Sequence, residues 1–188
     1  MIDTEIAGRT VLITGANHGI GAAAARAFAG QGADLFLSYL RLAPEHFGDR
    51  AEVETMDTAG TGKAFYYRQV AQSADGLVKS IQETGCRCFS IELDLAQPEN
   101  IPVLFDRAEE QYGKVDILVN NAAADRLDTF LPPAVLENEP TFLEEFHPVT
   151  VTPGSHDWNF AVNSRAPALM MAEYARRYVA RGIPPRAY

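Results

Sequence analysis

Positive charge is scarce in this chain: 16 Lys and Arg stand against 25 Asp and Glu, a formal net charge of −9 over 188 residues. A surface of that sign repels phosphate backbones, which excludes nucleic acid as a partner. Long apolar runs are missing too. None approaches the roughly 20 residues that a membrane-spanning helix requires. The opening Met1-Ile2-Asp3-Thr4-Glu5 carries acids where a secretory signal would carry bases. The expected location is therefore cytoplasmic, with no membrane association. Cysteine is limited to Cys86 and Cys88, too few for a disulfide framework. Alternate strand residues share a face, so both thiols are expected to point the same way as small apolar fillers in a reducing compartment. The four histidines are scattered, and His147 and His156 are too far apart for a helical ligand pair. No metal site is expected.

What is present is a core-forming composition, 47% apolar over a length that suits one domain. Strand-like and helix-like segments alternate, which implies a parallel sheet with helices on both faces. The first strand is expected at Thr10–Thr14 and its helix from Gly19 to Gly30, with Ile20, Ala24 and Phe28 as a buried stripe at i, i+4, i+8. Leu35–Tyr39 reads as the second strand and Cys86–Leu93 as the third. A helix bearing Leu77, Val78 and Ile81 precedes the third strand and stops near Gly85. Another opens near Pro98, turns Ile101, Leu104, Phe105, Ala108 and Tyr112 inward, and stops at Gly113. Val115–Val119, almost wholly apolar, is the fourth strand, covered on both faces.

Two segments break this rhythm, at about 42–73 and 125–157, inside what is otherwise a single domain over 1–188. The first is longer than an ordinary βα loop and is expected to hold mixed turns and a short helix near the end of the second strand. The second carries Pro132, Pro133, Pro140, Pro148 and Pro153 and follows the fourth strand at its carboxyl end, where open α/β sheets bind ligands. It is either a substrate-side loop or a neutral insertion.

The sharpest signal is Thr14-Gly15-Ala16-Asn17-His18-Gly19-Ile20-Gly21, directly after the apolar Val11-Leu12-Ile13. A strand, a glycine-rich turn and a helix in this order suit a dinucleotide pyrophosphate. Gly15 permits the tight turn, Gly19 the close approach of phosphate, and Gly21 the packing of helix on strand. The helix N-terminus then offers unsatisfied N–H groups and a partial positive charge. Gly15, Asn17, His18, Gly19, Ile20 and Gly21 are accordingly candidate cofactor contacts.

The spacing Thr-Gly-x-x-x-Gly-Ile-Gly resembles the fingerprint of the short-chain dehydrogenases/reductases. Asp94-Leu95, Asn120-Asn121-Ala122-Ala123 and Asn163 follow in the family's order and extend the resemblance over nearly the whole chain. It implies a doubly wound, three-layer α/β/α Rossmann fold with strand order 3-2-1-4, ending before a fifth strand. It also implies a carbonyl reductase or alcohol dehydrogenase of the 3-oxoacyl-[acyl-carrier-protein]-reductase type, forming a dimer or tetramer when complete. In the family, Asp94-Leu95 would lie beside the adenine, and Asn121, Ala122 and Ala123 beside the nicotinamide ribose, one asparagine bonding strand backbone. The acid that binds the ribose 2′-OH in NAD enzymes is replaced by Tyr39. Arg41 follows two residues later, and His18 stands where NADP-using members often carry a base. NADP is the expected cofactor, with NAD the alternative.

Asn163 would hold the proton-relay water and is the one candidate catalytic residue. Pro167 lies inside the same helical segment and has no N–H for the Asn163 carbonyl four residues back. The family's serine and Tyr-x-x-x-Lys find no match. The only lysines are Lys63, Lys79 and Lys114, and none follows a tyrosine by four residues. The chain alone is thus expected to be inactive, either as part of a longer oxidoreductase or as a non-catalytic protein that binds nucleotide or a partner. A methyltransferase on the same fold would leave Asn121-Ala122 and Asn163 without a role.

Overall fold

A computed structural model describes residues 4–42, 62–125, 128–136 and 149–182. Four parallel strands, β1 (Thr10–Thr14), β2 (Asp34–Tyr39), β3 (Cys88–Glu92) and β4 (Ile117–Val119), form one sheet in the order β3-β2-β1-β4. That is the expected 3-2-1-4. Between the strands run α1 (Gly19–Ala29), α2 (Gly62–Ala71), α3 (Asp75–Gln82) and α4 (Asn100–Tyr112). After β4 come a two-stranded parallel ribbon, β5 (Asp128–Thr129) with β6 (Val149–Thr150), and α5 (Pro133–Leu136). The helix α6 (Pro153–Phe160) continues through a π-helical turn at Ala161–Arg165 into α7 (Ala166–Ala180).

The strand alternation builds two cores, one on each face of the sheet. Val11, Ile13, Leu35, Leu37 and Cys88 pack with Ala25 and Ala29 of α1 and Leu77 and Ile81 of α3. Leu12 and Phe36 turn the other way, onto Ile101, Leu104, Phe105 and Ala108 of α4 and Ala166 and Met170 of α7. Helices on both sides of a parallel sheet give the three layers. Both cysteines belong to the first core, and burial pushes the Cys88 thiol up to about 12, so it packs as an inert apolar group. The second layer is pinned by Arg177 of α7, whose guanidinium meets Glu173 on its own helix and Asp106 and Glu109 of α4.

Several boundaries differ from expectation for local reasons. The buried stripe of α1 runs through Gly21, Ala25 and Ala29, while Ile20 is 81% exposed. Helix and sheet approach closely here, so the smallest side chains face inward. The proline in the first turn of α4 is Pro102; Pro98 belongs to the preceding turn, where Ile101 N–H reaches its carbonyl. β3 begins at Cys88 and β4 at Ile117, shorter than their apolar runs, and Val115 is buried ahead of β4 in the second core. The final helix starts at Pro153. Thr152 caps it, its hydroxyl accepting from the Ser155 N–H while Ser155 Oγ accepts from the Thr152 N–H.

Of the first interrupting segment, α2 is described, and it is tied to the end of β2 by Leu42 N–H donating to the Val70 carbonyl. His147, Pro140 and Pro148 lie outside the described residues.

Candidate dinucleotide site

The glycine-rich turn lies between the carboxyl end of β1 and α1, and its three glycines do different work. Gly15 has φ +65°, and a Cβ there would sit 2.7 Å from Ala122 Cα. At Gly21 a Cβ would overlap the Gly15 carbonyl and Asn121 Nδ2 and come within 2.9 Å of Ala16 Cα. These two positions are closed by the protein's own backbone. Gly19 is the opposite case. Its φ is +55°, yet a Cβ there would meet nothing within 4 Å. The first turn of α1 carries no acidic residue, so its N-terminal dipole is uncancelled where that space opens.

The residues behind the turn lock it to β4. Thr14 Oγ1 accepts from the N–H groups of Asn121 and Ala122, at 3.0 Å each. Asn121 Nδ2 donates to the carbonyls of Thr14 and Gly15, at 2.9 Å each. Asn121 is therefore the asparagine bonded to strand backbone, and Asn120 is exposed. Ala122 backs Gly15, and Ala123 is exposed beyond it. From the other side Asn17, buried, donates through Nδ2 to the Gln72 carbonyl at 3.0 Å, and Gln72 Nε2 returns a bond to the Asn17 carbonyl at 3.3 Å. Gln72 carries no recognisable motif. Its partner lies 55 residues away, which is why sequence reasoning missed it.

His18 stands at the N-cap of α1 in extended conformation, and its side chain makes no capping bond. Burial lowers its imidazole below the ordinary 6.5 and so favours the neutral ring.

At the sheet edge, Tyr39 is buried and pairs in register with Glu92. Arg41 is held there: its Nε donates to both Glu92 carboxylate oxygens, at 3.0 and 2.9 Å, and Nη2 lies 2.7 Å from Oε2. Each partner stabilises the other's charge, so the carboxyl of Glu92 is lowered and the guanidinium of Arg41 raised, chiefly by that hydrogen bond. Glu92 is a second residue that local pattern does not reveal.

Asp94 closes its own turn. Its carboxylate accepts from Ala96 N–H at 2.8 Å and from Gln97 Nε2 at 3.3 Å, while its carbonyl accepts from Asn100 Nδ2. Leu95 is buried in the second core.

Asn163 lies in the π-helical turn, where Ala166 N–H bonds the Ala161 carbonyl five residues back. This widened turn precedes Pro167, which has no N–H for the Asn163 carbonyl. The Asn163 side chain brackets Ala124 after β4, accepting from its N–H at 2.8 Å and donating to its carbonyl at 2.6 Å. Arg165 donates to the Ala96 carbonyl, so the same turn also ties down the Asp94 loop. Among the described residues no group of His, Cys, Asp and Glu could hold a metal ion, and no helix is long and apolar enough to cross a membrane.

Comparison with known proteins agrees with this geometry. The family model for short chain dehydrogenase matches residues 48–133. The oxidoreductase UcpA of Escherichia coli K12 is 35% identical over 127 residues, covering 68% of this chain and 37% of that protein. L-rhamnose 1-dehydrogenase (NAD(P)(+)) of a Sphingomonas species is 31% identical over 140 residues, or 74% of this chain and 44% of that one. The chain thus spans less than half the length of these relatives. Among solved structures, a short chain dehydrogenase from Burkholderia cenocepacia in complex with NADP superposes with a TM-score of 0.60 at 26% identity, covering 91% of this chain and 51% of that one. A blue fluorescent protein from a metagenomic library, in complex with NADPH, shares the fold with a TM-score of 0.61 at 24% identity. Sheet order, glycine-rich turn and relatives together show a Rossmann-like α/β fold similar to that of the short-chain dehydrogenases.

Proposed function

We propose that the chain binds a nicotinamide dinucleotide at the glycine-rich turn, NADP(H) with NAD(H) as the alternative, as part of an oxidoreductase acting on a small carbonyl or alcohol. The observation that carries this reading is Gly19. Protein packing explains the absence of side chains at Gly15 and Gly21, whereas Gly19 faces open space before an uncancelled helix N-terminus. A pyrophosphate fits that space by charge and by backbone N–H donors. The fold neighbours in complex with NADPH and NADP support the choice of cofactor.

When bound, such a cofactor gives or takes a hydride at its nicotinamide ring. This chain's residues bind and orient. Thr14 and Asn121 fix the turn against β4, and the small side chains of Ala122 and Ala123 permit close backbone approach there. Asn163 anchors Ala124 through its side chain. Its main-chain carbonyl, which Pro167 cannot satisfy, is the group we assign to a relay water. Within the reading, the 3-oxoacyl-[acyl-carrier-protein]-reductase type rests on the sequence resemblance alone, and the same resemblance suggests a homo-oligomer, to be checked by light scattering.

The test is calorimetric titration of NADPH into the chain and its Gly19→Asp variant. Asp puts a side chain and a negative charge into the open space, and an affinity loss of more than about tenfold is expected. Equal affinity in the two proteins would show that the turn is not the site.

A further inference from the structure

The sheet edge holds a group that the dinucleotide reading does not use. Position 39, at the end of β2, has a tyrosine where an acid would accept from a ribose 2′-OH. The residue paired with it in register is Glu92 at the end of β3. Paired residues of neighbouring parallel strands are about 5 Å apart and point to the same face. The missing carboxylate is therefore supplied from the next strand, at the same level of the sheet. It is already engaged. Three contacts from the Arg41 side chain reach it, and the Arg41 backbone N–H adds a fourth at 3.1 Å. Asp75 lends further negative field to the same guanidinium. Both partners are partly open to solvent, with side-chain exposures of 54% for Arg41 and 30% for Glu92. A ligand can thus reach the pair and exchange with it.

We propose that Glu92 sets the preference between NAD(H) and NADP(H): it takes the place of the acid missing at position 39, and a 2′-phosphate gains Arg41 only by displacing it. The inference rests on the dinucleotide reading above and deepens it. A 2′-OH leaves the Arg41–Glu92 pair intact and finds a carboxylate acceptor. A 2′-phosphate meets that same carboxylate as a repelling charge, and it must take over a guanidinium whose hydrogen bonds are already made. Arg41 thus favours the phosphate far less than a free arginine would. Exposed pairs of this kind contribute little stability, so removing the acid should leave folding intact.

Adenosine 2′,5′-bisphosphate and 5′-AMP differ only by the phosphate in question, so their affinity ratio, measured by calorimetry on the 188-residue chain, isolates the effect. NADPH and NADH are titrated alongside. Glu92→Gln should raise the ratio of bisphosphate to AMP affinity roughly tenfold. Arg41→Ala alone should lower it by less than about threefold, because the guanidinium is already committed, and in the Glu92→Gln background it should erase the gain. Should the Gln variant not melt cooperatively, Glu92→Ala carries the same expectation. A ratio within about twofold of the parent's in a folded Glu92 variant that binds both probes overturns the proposal and leaves the dinucleotide reading standing. If the folded parent binds neither adenosine probe nor either dinucleotide, the site reading itself fails, and this inference with it.

Discussion

Gly21→Ala adds one methyl group, and the structure says where it goes. The new Cβ overlaps the Gly15 carbonyl and Asn121 Nδ2 and lies 2.9 Å from Ala16 Cα. Two of these three neighbours are backbone, so no rotamer change relieves the overlap. Overpacking of this sort costs roughly 1–3 kcal/mol, at the upper end where backbone must move. Displacing Asn121 also removes its bonds to the Thr14 and Gly15 carbonyls, at about 1 kcal/mol each. The sum is about 3–5 kcal/mol. At about 3 °C per kcal/mol for a chain of this size, the midpoint falls by roughly 9–15 °C. Gly19→Ala is the control. It meets no atom within 4 Å, and its cost is that of a left-handed residue at φ +55°, about 1–2 kcal/mol or roughly 3–6 °C. Circular-dichroism melts of the two variants and the parent decide the matter. Melting points for the two variants within about 2 °C of each other would refute the assignment of Gly21 to packing and Gly19 to ligand space.

Asn163→Ala should destabilise by about 2–4 kcal/mol, because it leaves both backbone groups of the buried Ala124 unpaired. Urea denaturation checks the loss, hydrogen exchange at the Ala124 amide checks its location, and an unchanged exchange rate would contradict the bracket. Glu173 provides a pH signature. Its carboxyl is lowered from 4.5 to about 2, chiefly by the hydrogen bond from Arg176 and further by Arg177. The folded state holds the ionised form more strongly than the unfolded chain does. That contribution is complete above pH 4.5 and fades as the pH falls toward 2. Urea midpoints of the parent and Glu173→Gln should stand apart at pH 7 and converge toward pH 2; a gap independent of pH would remove Glu173 from the account.

Those parts of the molecule whose cause is local were legible before any coordinates. The apolar Val11-Leu12-Ile13 and the glycine spacing behind it report the strand and its turn, because strand, turn and helix are consecutive. Val115–Val119, expected to be covered on both faces, is only half-buried over Ile117–Val119, the edge strand of the sheet among the described residues. The phase of α1 was not legible from hydrophobicity. Ile20 is the most apolar residue of its first turn, yet closeness to the sheet selects Gly21, Ala25 and Ala29, so size overrides hydropathy. The three contacts that refine the site join residues 51, 55 and 39 positions apart: Arg41 with Glu92, Asn17 with Gln72, and Asn163 with Ala124. Each involves a polar side chain reaching across elements, and no periodicity encodes such a pairing. Pro167 does announce a disturbed helix. The disturbance is absorbed upstream as a widened π turn, a choice set by the contacts of Asn163 and Arg165 with loops beyond the helix.

The reciprocal bonds between Asn17 and Gln72 make the glycine-rich turn a joint property of two distant stretches of chain. Asn17 is shut away from water, and its side chain and its carbonyl both end on one residue just beyond α2. A shift of Gln72 by one hydrogen-bond length breaks both contacts together, leaving the turn to find new partners or lose its shape. Changes in length or sequence after β2 are therefore transmitted to the turn at α1 without altering any glycine. Two chains with this fold and the same glycine spacing can then differ in how firmly that turn is held, because here the segment beyond the second strand supplies its clamp.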